Sequence, residues 1–226
     1  MEQIFKVAPS GLDYALKCKR CLWLSSRGIK LDVFFPPIFN SFDLIQKKFL
    51  ITQSIKLMSK DLPKGRIMNE LRGFIGSSVL KDRKGRDFLI SGKTDIVVEF
   101  ETEPKKYGII DLKTTSINPS KIENYKLQLE GYATIFENPN SKTPKFSDIE
   151  ELGLYLFEPK EITKISEGNC NMKFETLYLK GNRCKKDLLN RITDIIDVYQ
   201  MKKPPGYNLN CASCKFVNSL KKEKYI

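Results

Sequence analysis

The chain has 226 residues, 41 % of them hydrophobic, and Lys plus Arg outnumber Asp plus Glu by 39 to 27, a net charge of +12. That length supports one good core with at most a small appended module, and no apolar run is long enough to span a membrane. The positive balance points to a polyanionic partner such as nucleic acid. The absence of histidine excludes Ser–His and Cys–His nucleophile pairs and histidine-ligated zinc hydrolysis, which leaves carboxylates, lysine and bound metal as the available hydrolytic groups. The first residues, MEQIFKVAPSG, lack the charged-then-apolar layout of a secretory leader, so a cytoplasmic location is expected.

Taken in chain order, residues 9–28 read as a short helix capped by Ser10, with Leu12, Ala15 and Leu16 on one face, followed by a cysteine-bearing turn. Residues 36–50 start with two prolines and turn helical; Phe39, Phe42, Ile45 and Phe49 recur at helical spacing and predict a buried stripe. Residues 54–72 read as irregular with helical pieces. RDFLISG, TDIVVEF and YGIIDLKTT are short, β-branched and separated by turn-forming residues. They predict three neighbouring strands, at least two of them an antiparallel hairpin. A helix then opens near Pro119, with Ile122, Tyr125, Leu129, Tyr132 and Phe136 on its apolar face. ELGLYLFEP and KFETLYL read as strands. KKDLLNRITDIIDVYQM is an amphipathic helix stopped by Pro204 and Pro205. No internal repeat or low-complexity linker interrupts the chain, and the pattern predicts a single α/β domain over 1–226.

Side chains alternate along a strand, so Asp111 and Lys113 project to one side while Ile110 and Leu112 take the other. A hairpin between TDIVVEF and YGIIDLKTT would bring Asp95 beside Asp111. Two carboxylates are hard oxygen ligands suited to Mg2+ or Mn2+, with the Leu112 carbonyl as a further donor. A lysine next to them suits the anionic transition state of phosphodiester hydrolysis. Gln128 and Tyr132 stand four apart on one face of the following helix. The plainer alternative is an exposed D-x-K salt bridge, with Tyr132 in the core and Gln128 at its boundary.

These residues together resemble the RecB-like branch of the PD-(D/E)XK nucleases, especially the CRISPR-associated RecB-like exonucleases that carry an iron–sulfur cluster. The resemblance rests on Gly92-Lys93-Thr94-Asp95, Asp111-Leu112-Lys113 and Gln128-Leu129-Glu130-Gly131-Tyr132, in that order along the predicted strand, strand and helix. It covers roughly residues 9–136 and, through the cysteines, the C-terminal tail. It implies a restriction-endonuclease-like core, a mixed central sheet flanked by helices, that cuts DNA with Mg2+ or Mn2+. Asp95 and Asp111 would ligate the metal, Lys113 would be the catalytic lysine, and Gln128 and Tyr132 the helical motif. RecB-like members usually add a histidine from an early helix; here Asp43 sits on a plausible equivalent, with Gln46 and Glu70 as alternatives.

Cys18-x-x-Cys21 and Cys211-x-x-Cys214 lie near opposite ends of the chain and read as metal binding rather than disulfides. Four thiolates suit either Zn2+ or an iron–sulfur cluster, and the resemblance favours [4Fe-4S]. Either would clamp 9–28 to 206–218 as one module and contribute folding free energy. Cys170 and Cys184 read as ordinary free cysteines.

The expected activity is a DNA exonuclease on single-stranded or free ends, serving repair, recombination or CRISPR adaptation with protein partners there. A catalytically inactive DNA-binding scaffold and an endonuclease subunit are the competing readings. Trp23, Phe34, Phe35 and Tyr207 are candidate base-stacking platforms.

Overall fold

The computed structural model describes residues 3–29, 36–68 and 73–222. Strand β1 (Phe5–Val7) leads into a 3-10 turn at Pro9–Gly11, a second at Ala15–Cys18 and helix α1 (Lys19–Ser25). Helix α2 (Ile38–Ile51), a 3-10 turn (Ile55–Leu57) and strands β2 (Gly65–Ile67), β3 (Ile75–Gly76), β4 (Leu80–Lys81), β5 (Asp87–Gly92), β6 (Ile96–Phe100) and β7 (Tyr107–Thr114) follow. A 3-10 segment (Pro119–Asn124), α3 (Lys126–Glu137), β8 (Ile149–Ser166), β9 (Asn169–Gly181), α4 (Lys185–Gln200) and α5 (Ala212–Lys222) complete the chain.

The main sheet is five-stranded and mixed, ordered β2-β6-β7-β8-β9. Among the described residues its only parallel pair is β7 with β8, as expected when a helical crossover, here α3, joins two neighbouring strands. A smaller sheet has β5 at its centre, parallel to β1 and antiparallel to β3 and β4. Hydrophobic cores cover both faces of the main sheet. On one face Val97, Ile109, Leu154 and Leu156 pack with Leu129, Ala133 and Phe136 of α3 and Ile192 and Ile196 of α4. On the other, Ile96, Val98, Ile110, Leu112 and Tyr155 pack with Leu50 of α2 and Ile55.

The structure corrects several expectations. Ser10 caps nothing: the segment splits into two 3-10 turns, and the Cys18 thiol, accepting the Cys21 N–H, caps α1 instead. The α2 stripe is not buried, for Phe39, Ile45 and Phe49 are 42, 64 and 48 % exposed; Gln46 and Leu50 face inward. The strand β5 belongs to the small sheet, so only β6 and β7 form the expected hairpin. The helix after Pro119 is broken at Tyr125, where the 3-10 segment ends and α3 begins. Strands β8 and β9 run far past the predicted ends, leaving residues 159–173 as an exposed two-stranded arm. Glu70, Phe34 and Phe35 lie outside the described residues.

Candidate active site

The β6–β7 register pairs Ile96 with Ile110, so one step further sets Asp95 opposite Asp111. Asp111, bonded to Gln128, points to the face that carries α3, with Lys113 two residues on, and Asp95 meets it from just before β6. Asp95 Oδ2 accepts the Leu112 N–H at 2.9 Å. That bond ties the acid to the next strand and orients its other oxygen outward.

Asp111 is buried. Its Oδ1 accepts Gln128 Nε2 at 2.7 Å; its Oδ2 touches the Lys113 ammonium but accepts no hydrogen bond of good geometry. Burial pushes the Asp111 carboxyl up to about 7; Lys113 opposes the rise and Asp95 adds to it. The Lys113 ammonium also lies 4.9 Å from the centre of the Tyr125 ring. Two carboxylates brought together, one of them buried with a lysine as its only cationic partner among the described residues, are a hard oxygen donor set that fits a divalent cation.

Helix α3 supplies Gln128 because its first turn is held from outside. The Asp13 carboxylate accepts the N–H of Gln128 at 2.9 Å and of Leu127 at 3.3 Å. A distant side chain thus caps the helix, which the intervening sequence gives no means of foreseeing. The Tyr132 hydroxyl donates to the Lys93 carbonyl at 2.7 Å, pinning the turn before Asp95, and burial drives its phenol pKa far up. Glu130, fully buried on the same helix, accepts Arg183 and the Cys184 N–H and anchors α3 to the start of α4.

The early helix α2 brings Asp43 and Lys47. The Lys47 ammonium stands 2.7 Å from Asp95 Oδ1 and 2.7 Å from Asp43 Oδ1. Burial disfavours that charge, but the Asp95 and Asp43 carboxylates outweigh it and its pKa is raised. Asp43 therefore meets the acidic pair through Lys47, and Gln46 donates to Thr114 Oγ1 instead of reaching the carboxylates. A cleft of about 220 Å3 opens beside Asp95, walled by Asp43, Lys47, Lys48, Lys93 and Met68. Wider recesses occur, such as one of about 600 Å3 between Phe42 and Phe174, but that one is largely apolar and lacks convergent ionisable groups.

A family model described as the PD-(D/E)XK nuclease superfamily matches residues 52–219. The chain belongs to the PD-(D/E)XK nuclease superfamily. The matched span of this PD-(D/E)XK nuclease contains Asp95, Asp111, Lys113, Gln128 and Tyr132 and leaves Asp43, Cys18 and Cys21 outside it. No curated protein matches the chain by sequence. Among solved structures the nuclease is similar to the "Crystal structure of SSO0001", with a TM-score of 0.52 at 14 % identity over 96 % of this chain and 86 % of that one. At that identity the likeness speaks to the fold alone.

The four paired cysteines of the nuclease converge, with all four sulfurs within 4.8 Å of one another. Cys18 and Cys214 Sγ are 3.5 Å apart, and Cys21 and Cys211 Sγ 3.6 Å. The Cys211 thiol is drawn down to about 7, chiefly by the Cys214 N–H, whereas burial raises Cys18 and Cys21. No disulfide joins them, and a four-sulfur donor set fits a metal ion or cluster. Around it Asn208 donates to the Lys17 carbonyl, Arg20 to the Pro205 carbonyl and Trp23 to the Met201 carbonyl. Two of the proposed stacking platforms are already engaged: Arg27 covers Trp23 at 3.6 Å and Arg20 covers Tyr207 at 4.1 Å. Cys184, at the start of α4, is half-buried against the Lys126 carbonyl, and Cys170 is exposed on the arm. No helix among the described residues is long and apolar enough to cross a membrane.

Proposed function

We propose that this superfamily member is an Mg2+- or Mn2+-dependent deoxyribonuclease of the RecB-like branch, acting as an exonuclease on single-stranded or free DNA ends. The observation that carries the reading is Asp95 and Asp111 facing each other across β6 and β7, with the Lys113 ammonium in contact with Asp111 Oδ2. A bound divalent ion at such a pair polarises the phosphate and acidifies a water. Asp95 and Asp111 supply oxygen ligands, and the Leu112 carbonyl, between Asp111 and Lys113 in sequence, is a further candidate donor. Lys113 meets the negative charge that develops on the phosphate oxygens. Gln128 holds the Asp111 carboxylate in one orientation, and Tyr132 holds the turn that presents Asp95. Repair, recombination or CRISPR adaptation, with protein partners in those processes, are the settings that suit an end-directed nuclease.

The test is cleavage of linear and circular single-stranded DNA, with and without Mn2+, by wild type, Asp95→Ala and Lys113→Ala. Linear DNA is degraded only with the ion, circles survive, and each substitution lowers the rate about 10²-fold or more. Equal cutting of circles would replace the exonuclease by an endonuclease. Lys47 on Asp95 and the missing histidine favour a second reading, an inactive DNA-binding scaffold; ion-independent DNA binding without any cleavage would establish it.

For the thiolate site the family resemblance favours [4Fe-4S], while the observed spacing favours one tetrahedral ion such as Zn2+. Bonds of about 2.3 Å to a single Zn2+ place four sulfurs a little under 4 Å apart; a cube with an iron at each corner needs them wider. A visible absorption spectrum of anaerobically purified protein separates the two.

A further inference from the structure

We propose that Lys47 is an internal counter-ion of Asp95 that a divalent cation must displace, and that Asp43 is the berth that receives the displaced ammonium. The inference rests on the reading of Asp95 as a metal ligand. Of the two Asp95 oxygens, Oδ2 is committed to the Leu112 N–H at 2.9 Å. That leaves Oδ1 to face a metal, and Lys47 Nζ stands on that same atom at 2.7 Å. An ammonium and a divalent cation on one carboxylate oxygen repel each other and share its charge, so Lys47 competes with a metal for Oδ1.

Charge accounting sharpens the point. Asp111 is already faced by Lys113, and Asp95 by Lys47. Each of the two would-be ligands is thus matched by an ammonium group, and one of those ammonium groups, Lys47, is shared with a third carboxylate, Asp43. Moving Lys47 off Asp95 restores one negative charge at the site. The helix supplies the place for it to go: Asp43, one turn back along α2, accepts the ammonium with Oδ1 at 2.7 Å and Oδ2 at 2.9 Å. A lysine has three donors on a flexible stem, so it can release Asp95 and stay on Asp43 without leaving the helix face. The Lys47 side chain is only 20 % exposed and borders the cleft beside Asp95. The displaced charge therefore stays within that cleft, where a phosphate would meet it. Asp43 in this arrangement is a positioning residue that acts through Lys47 and does not touch the metal.

Mn2+ binding to the full chain, followed by the electron paramagnetic resonance of free Mn2+ at constant pH without DNA, tests this. Lys47→Met binds Mn2+ at least tenfold more tightly than wild type. Asp43→Asn weakens binding severalfold in the wild-type background and changes nothing in the Lys47→Met background, since a double-mutant cycle isolates the shared path. Lys47→Gln keeps the stem and a donor without the charge; it shows the same tightening and serves if Lys47→Met does not fold. Asp95→Asn separates the two levels of the argument. If Asp95→Asn loses binding while both Lys47 variants bind no better than wild type, the counter-ion role is wrong and the metal site stands. If Asp95→Asn binds Mn2+ as wild type does, the metal site itself is wrong. Weakening by Asp43→Asn in the Lys47→Met background would make Asp43 a ligand and overturn its role as a berth.

Discussion

In the turn between β4 and β5 the Asp82 carboxylate accepts the N–H of Lys84 and of Arg86 at 2.9 Å and the Arg86 guanidinium at 2.9 and 2.6 Å. Burial works against the charge, but Arg86 and these N–H groups outweigh it and hold the acid below the usual carboxylate range. A group depressed in the folded state stabilises above its unfolded pKa of about 3.9, and that contribution is lost as pH falls through the folded value. Asp82→Asn should therefore cost about 2 kcal/mol at neutral pH. Urea unfolding from pH 7 to 2.5 would show the gap constant down to about pH 4 and closing below it; a gap that does not close would assign the loss to shape instead of charge. Gly92 is a different kind of residue-scale constraint. A Cβ there would sit 2.9 Å from Pro9 Cδ and 3.3 Å from Tyr132 Cε1. Gly92→Val should cost roughly 1–3 kcal/mol in urea unfolding and loosen the turn that carries Asp95. The period-two pattern made the common face of Asp111 and Lys113 legible, and the hairpin made Asp95 legible. Asp13, Lys47 and Glu130 were not legible, because each acts on a partner far away in sequence and no local spacing records it.

At the scale of elements, periodicity located helices and strands but not what covers them. The apolar stripe of α2 was visible in the sequence, yet Ile45 and Phe49 border an open recess toward Phe174 of β9 and are not sealed. A hydrophobic face tells which side is apolar, whereas the length of the opposing arm decides how much is buried. Strand β5 was recognisable as a strand, but its parallel partner β1 lies more than eighty residues away, beyond the reach of turn chemistry. The arm itself contributes little to the core, since residues 159–173 are exposed. Replacing residues 160–172 by a two-residue Asn-Gly turn should shift the melting temperature by no more than about 2–4 °C, the equivalent of roughly 1 kcal/mol in a chain of this size. A larger drop would mean that the arm props α2 against the sheet. The cysteine clamp is the opposite case, because it joins the start of α1 to the start of α5 across most of the chain. Cys211→Ser should lose about 3 kcal/mol, a melting shift of roughly 6–12 °C, with a similar shift on chelation of the wild type. Calorimetry of both samples checks this, and an unchanged melt would leave the four thiols without a structural ion.

For the whole molecule the charge of +12 becomes a quantitative statement about DNA. Each phosphate neutralised by a lysine or arginine releases counter-ions, so log K falls linearly with log salt, by about 0.7 per contact on single strands. Lys48 and Lys93 wall the cleft beside Asp95, whereas Lys160, near the base of the exposed arm, is paired with Glu158 and Glu175. A strand threading the cleft would meet the first two and not the third. In an Asp111→Asn background, which removes cleavage but leaves these lysines in place, fluorescence anisotropy of a labelled single strand between 50 and 300 mM salt gives the slope. Lys48→Ala and Lys93→Ala should each make that slope shallower by about 0.7, and Lys160→Ala should leave it alone. Equal losses at all three positions would mean that the net charge binds DNA as a diffuse field, and the cleft would then have no claim to be the path of the strand.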